Sequence, residues 1–192
     1  EGPRTRKGEP MGIIDLWMPI VVSAGLVWVV SAIVWMVLPW HKTDFSKPGD
    51  EEAVRSALKG SAPGYYMVPF HMDPKELKDE AVAQKYVEGP QAFITVLPNG
   101  MPAMGPKLVM SFLFYLLVGI TCAYFVGRTV GPDGSYLAAF RIAGTTAFTA
   151  YGLAYFQESI WFGRPWSLTA KSLLDAFIYG LVTGGVFGWL AV

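Results

Sequence analysis

Cysteine and histidine are scarce in this chain of 192 residues, and each scarcity excludes something. The one cysteine, Cys122, cannot form an intramolecular disulfide, so cysteine usage does not fix the redox compartment. The two histidines, His41 and His71, both fall outside the predicted membrane spans. A haem or chlorophyll ligated inside a membrane bundle usually needs a histidine within a helix. No cofactor bound through side-chain ligands is therefore expected, and no metal. Charge is scarce too: only 16% of residues are Asp, Glu, Lys or Arg, against roughly 25% in soluble domains. The 15 basic and 15 acidic residues cancel, which gives no reason to expect nucleic-acid binding. More than half of these charges lie between His41 and Lys107, so the rest of the chain is nearly uncharged.

What the chain has instead is apolar stretches, and four are long enough to predict membrane helices. The first covers 13–40, with Trp17 near one end, Trp35 and Trp40 near the other, and Pro39 at the exit. Arg4, Arg6 and Lys7 precede it as in a signal peptide, but its apolar run of about 25 residues exceeds a signal core of about 7–15. It reads as a retained anchor. The second covers 108–126 and the third 135–156. The fourth covers 168–192, and Trp161, Trp166 and Trp189 mark membrane interfaces around the last two. The predicted fold is thus an all-α membrane protein of four transmembrane helices. Its divisions are a tail with the first helix (1–40), an extramembrane α+β insert (41–107), and the other three helices (108–192). Four spans put both termini on one side. The basic residues lean towards cytoplasmic termini and a periplasmic insert in a bacterial inner membrane.

Small residues dominate the last two helices. Gly180, Gly184 and Gly188 fall four apart on one face, a spacing that lets another helix approach backbone to backbone. Ala139, Ala143 and Ala147 form a softer stripe on the third helix, which makes that helix the internal candidate to cover the ladder. Lys171 and Asp175 are four apart and are expected to pair on one face. The insert carries two helix starts, Asp50 before Glu51 and Glu52, and Asp73 with Pro74 and Glu76. It also carries two strand candidates, 65–70 and 92–97. Two strands alone are marginal, so the insert is expected to lean on the membrane or on a partner.

Candidate chemistry is thin. Met67, His71 and Met72 are soft ligands of the copper type, but they lack a regular ligand spacing and read as a surface strand end. Arg141 lies inside the third helix, where an ion or substrate contact competes with snorkelling to the headgroups or pairing with Asp133. Glu158, Arg164, Lys171 and Asp175 cluster near the third-to-fourth helix turn and read as a salt-bridged corner. No catalytic constellation is recognisable, and the chain reads as non-catalytic.

The tracts WMVLPWHKTDF (35–45), GPQAFITVLPNGMPAMG (89–105) and SIWFGRPWS (159–167) resemble a group of small bacterial four-helix membrane proteins. The resemblance implies four helices with one insert between the first two, and no activity. Proteins of this kind are similar to accessory subunits of large bioenergetic assemblies such as photosynthetic reaction-centre or light-harvesting complexes. The expected role is then structural: packing against other integral membrane subunits and membrane lipids, with contacts to lipid or pigment tails. A small transporter or channel component is the alternative.

Overall fold

The computed structural model describes residues 11–192, so the basic cluster Arg4, Arg6 and Lys7 lies outside the described residues. The chain is mostly helical with one small sheet. It divides into two compact units: 46–102, and the described residues up to 45 together with 103–192.

In the helical unit a short 3-10 turn, Ile14–Leu16, leads into α1 (Trp17–Ala32), which ends in a π-helical segment, Ile33–Val37. Leu38 is extended, and Pro39 then opens a 3-10 helix, Pro39–Thr43. A proline suits that first position because the N–H it lacks has no intrahelical partner there. Further along, α4 spans Met104–Thr129, α5 Tyr136–Gly152, α6 Ala154–Phe162 and α7 Trp166–Leu190. Gly127 and Arg128, just beyond the predicted second span, are still helical, and the Gly127 carbonyl accepts the Met11 amide at 3.0 Å.

Among the described residues three segments are long and apolar enough to cross a membrane: Ile14–Val37, Met104–Thr129 and Trp166–Leu190. They mark the chain as membrane-associated. The predicted third span, 135–156, differs from expectation. It is split at Leu153, directly after Gly152, into α5 and α6. At 1.5 Å per residue the 17 residues of α5 fall short of a hydrocarbon core of about 30 Å. Just before the break α5 and α7 are in close contact: a Cβ at Gly152 would lie 2.9 Å from that of Ala176 on α7.

Half of the most apolar stretch of α7 is buried, against about a third in the other two, so α7 is the central helix. The glycine ladder lies against α5. A Cβ at Gly184 would sit 2.8 Å from the Phe140 carbonyl oxygen, and one at Gly180 2.9 Å from that of Gly144. The covering helix is the one predicted, but the covering residues are Tyr136, Phe140, Gly144 and Phe148. The alanine stripe lies on a different face. Ala139, Ala143 and Ala147 are fully buried in a core with Val118, Cys122 and Phe187, and Cys122 Sγ lies 3.4 Å from the Ala143 carbonyl oxygen.

In the other unit, α2 (Glu51–Leu58) is capped by Asp50, whose carboxylate accepts the Ala53 amide at 2.9 Å. The helix predicted from Asp73 is two pieces. A capping box starts the 3-10 helix Pro74–Lys78, and Asp79 then caps α3 (Glu80–Glu88). β1 (Gly64–Val68) and β2 (Ala92–Val96) pair antiparallel, with Tyr66 opposite Ile94. His71 is bonded through Nδ1 to the Tyr86 hydroxyl, which itself donates to the Pro69 carbonyl. No residue of 46–102 is buried.

Candidate functional site

Four ionisable residues of the helical unit, His41, Asp44, Lys171 and Asp175, meet where the 3-10 helix Pro39–Thr43 packs on the first half of α7. Asp175 is 4% exposed and does not pair with Lys171. Its Oδ2 lies 3.0 Å from Nε2 of His41, which is itself 7% exposed. The other ring nitrogen, Nδ1, lies 2.6 Å from Oδ2 of Asp44. Lys171 donates to Asp44 Oδ1, to the Trp40 carbonyl and to Thr43 Oγ1. An ammonium has three N–H donors, so these three acceptors use all of them. The predicted i, i+4 pair fails because each member has a nearer partner from the segment after α1. That segment supplies a carboxylate to Lys171 and an imidazole to Asp175.

Local sequence explains the arrangement. The 3-10 turn opened by Pro39 sets His41 and Asp44 three residues apart, on one side of the chain. Trp35, on the π-helical segment, lies flat on the His41 ring, with centroids 3.9 Å apart and an interplanar angle of 5°. Burial works against the charge on Asp44. The hydrogen bonds and charges of Lys171 and His41 outweigh it and hold the carboxyl below its ordinary value of 3.8.

Asp175 also borders a cavity of about 210 Å³, lined by Ser111, Tyr115, Tyr151, Tyr155, Ser172 and Tyr179 among others. The rings of Tyr115, Tyr151 and Tyr179 meet edge to face, with centroids 5.7–6.5 Å apart. Two oxygens beside this space, Asp175 Oδ1 and the Tyr179 hydroxyl, are buried without a hydrogen-bond partner, as is Trp40 Nε1. Buried polar groups are normally satisfied, so this is a polar space within an otherwise apolar bundle.

Of the other predicted site residues, Trp35 and Trp40 belong to this junction, and Arg141 and the remaining tryptophans lie apart from it. Arg141 is exposed, on a groove of about 430 Å³ beside Gly144 and Gly180. Trp17, Trp161, Trp166 and Trp189 are exposed on the surface of the bundle, whereas Trp40 is half-buried. The corner between α6 and α7 is not salt-bridged. Glu158 is exposed, Arg164 stacks over the Tyr155 ring at 4.4 Å and donates to Ser172 at 2.9 Å, and Ser159 bonds Thr169 at 2.6 Å. Among the described residues no group of three or more His, Cys, Asp and Glu is placed to hold a metal ion.

Sequence reasoning missed His41 and Asp44. It set His41 aside as lying outside the spans, yet the 3-10 helix folds it back against α7. The available signal was Pro39 followed by a histidine and an aspartate three apart. No protein-family model, curated protein or solved structure matches the chain.

Proposed function

We propose that this chain is a non-catalytic accessory subunit of a larger bacterial membrane complex. In this reading it is anchored by its helices and docks other integral subunits through residues 46–102. One observation carries the reading: that unit folds without burying a single residue. Phe70, Met72, Val87, Leu97 and Met101 stand on its surface, Met101 at 94% exposure. A two-stranded sheet without a core is marginal in water, and exposed apolar patches mark contact surfaces. In the same reading α5 and α6, run together, make the fourth crossing, since Leu153 between them keeps a helical backbone. The termini are then cytoplasmic and 46–102 periplasmic, in the inner membrane. Lipids or pigment tails are further partners, because the Arg141 groove is walled by Phe140, Phe148, Phe177 and Leu181. Bioenergetic complexes, photosynthetic ones included, are the assemblies to examine first.

The test is gentle extraction from native membranes, native-gel separation and mass spectrometry, with the intact chain beside one lacking 46–102. A discrete complex of fixed composition that is lost with the deletion supports the reading. A lone monomer or homo-oligomer sinks it. The second reading, a transporter or channel component, is favoured by the polar cavity at Asp175, since ionisable groups inside a bundle mark ion pathways. It requires flux in liposomes that Asp175→Asn abolishes.

A further inference from the structure

His41 is bracketed by two carboxylates, and that bracket fixes a proton count. A neutral imidazole offers one N–H and one lone pair. Here Nδ1 faces Asp44 Oδ2 at 2.6 Å and Nε2 faces Asp175 Oδ2 at 3.0 Å. With a neutral ring and two carboxylates, one of these contacts sets lone pair against lone pair in a buried site. One added proton removes the conflict, whether it rests on Nε2 or on Asp175 Oδ2.

We propose that His41 and Asp175 form a proton-binding site, loaded and emptied through the tyrosine-lined cavity. The loading step balances simply. A hydronium ion in the cavity gives its proton to the pair and leaves as water, and the pair gains one unit of positive charge. Emptying is the reverse, and no other bond is made or broken.

Three features support this assignment. The first is that Asp175 borders the cavity, which provides the point of exchange. Asp44, the second, is held as the fixed counter-charge, because Lys171 commits its donors to Asp44 and the adjoining segment. The third is Trp35, whose indole face lies on the ring and favours a cationic imidazole there. The charged groups around the pair are Asp44 and Lys171, with Arg164 bonded to Ser172 on the cavity wall. Its titratable neighbours are the phenols Tyr115 on α4, Tyr151 on α5, Tyr155 on α6 and Tyr179 on α7. Among the described residues no carboxylate other than Asp44 and Asp175 borders the site, so the added proton is shared between His41 and Asp175.

The experiment uses the full chain in detergent micelles with ¹⁵N-labelled histidine. Only two histidines exist, and His71→Gln assigns them. At neutral pH the unmodified chain is expected to show His41 protonated on both nitrogens, or an infrared band of a protonated carboxylic acid that Asp175→Asn removes. In Asp175→Asn the ratio of doubly to singly protonated His41 should fall about tenfold or more, as on losing a neighbouring opposite charge. An unchanged ratio together with no carboxylic acid band that Asp175→Asn removes overturns the proposal. If that variant does not fold, the unmodified chain decides alone. A second proton held at neutral pH, on His41 or on a carboxylic acid, supports the site, whereas a singly protonated His41 with no carboxylic acid band at that pH overturns it.

Discussion

His41 and Asp175 are 134 residues apart in sequence, yet the imidazole Nε2 and the carboxylate Oδ2 are 3.0 Å apart. The contact ties the segment leaving α1 to the central helix α7, and Lys171 closes the same junction from the other side through Asp44.

Lys171→Met should loosen that junction. It removes all three donors and leaves Asp44, with a side chain only 6% exposed, facing His41 alone. Removing one member of a buried pair costs about 3–5 kcal/mol, and the lower half of that range is expected because Lys171 keeps 24% exposure. Denaturation in detergent measures the loss. The double variant Lys171→Met with Asp44→Leu should recover part of it, because no uncompensated charge then remains.

Gly184→Ala should cost about 1–3 kcal/mol, the usual range for overpacking. Its Cβ would meet the Phe140 carbonyl oxygen at 2.8 Å and the Gly144 Cα at 3.1 Å, both backbone atoms that cannot turn aside. Gly25→Ala on α1 is the control. A Cβ there meets nothing within 4 Å, so the gain in helix propensity of up to about 1 kcal/mol should dominate. Equal effects at the two positions would contradict the α5–α7 contact.

The pH response of Asp44 has a definite sign. Its folded-state carboxyl lies below 3.8, so its contribution to stability is fully present above that value. It is lost as pH falls through the lower folded-state value. Stability from this group should therefore be flat through the neutral range and decline only in strong acid. Asp44→Asn should remove that acid-limb decline, which thermal melts across a pH series in detergent would show.

In residues 46–102, end caps do much of the ordering that a core would otherwise supply. Asp79 accepts the Ala81 amide at 2.8 Å and the Val82 amide at 3.3 Å. Asp79→Ala should cost about 1 kcal/mol of local helix stability. Amide hydrogen exchange should then quicken through α3 and leave α7 unchanged.

Much of the helical framework was legible because it rests on local pattern. Apolar runs located α1, α4 and α7, and the spacing of Gly180, Gly184 and Gly188 identified a closely packed face. The capping residues Asp50 and Asp73 marked real helix starts. Pairings between distant segments were not legible. The i, i+4 spacing of Lys171 and Asp175 looked like a local pair because nothing local reveals that His41 and Asp44 arrive between them. The alanine stripe was assigned to the glycine ladder because both are small, but only the fold shows that Ala143 faces Cys122 while Gly144 faces Gly180. The close approach of Gly152 to Ala176 is again a contact far along the chain.

The π-helical segment Ile33–Val37 is the footprint of one extra residue wound into the end of α1. A π turn holds its extra residue by widening, so the helix on either side keeps its register. Its i→i+5 closure is the Leu38 amide on the Ile33 carbonyl, at 3.1 Å. Trp35 is the middle residue of that widened turn, and its indole is the face laid on the His41 ring. The surplus residue thus falls where the chain needs an aromatic lid over the imidazole, without turning the rest of α1 out of the bundle.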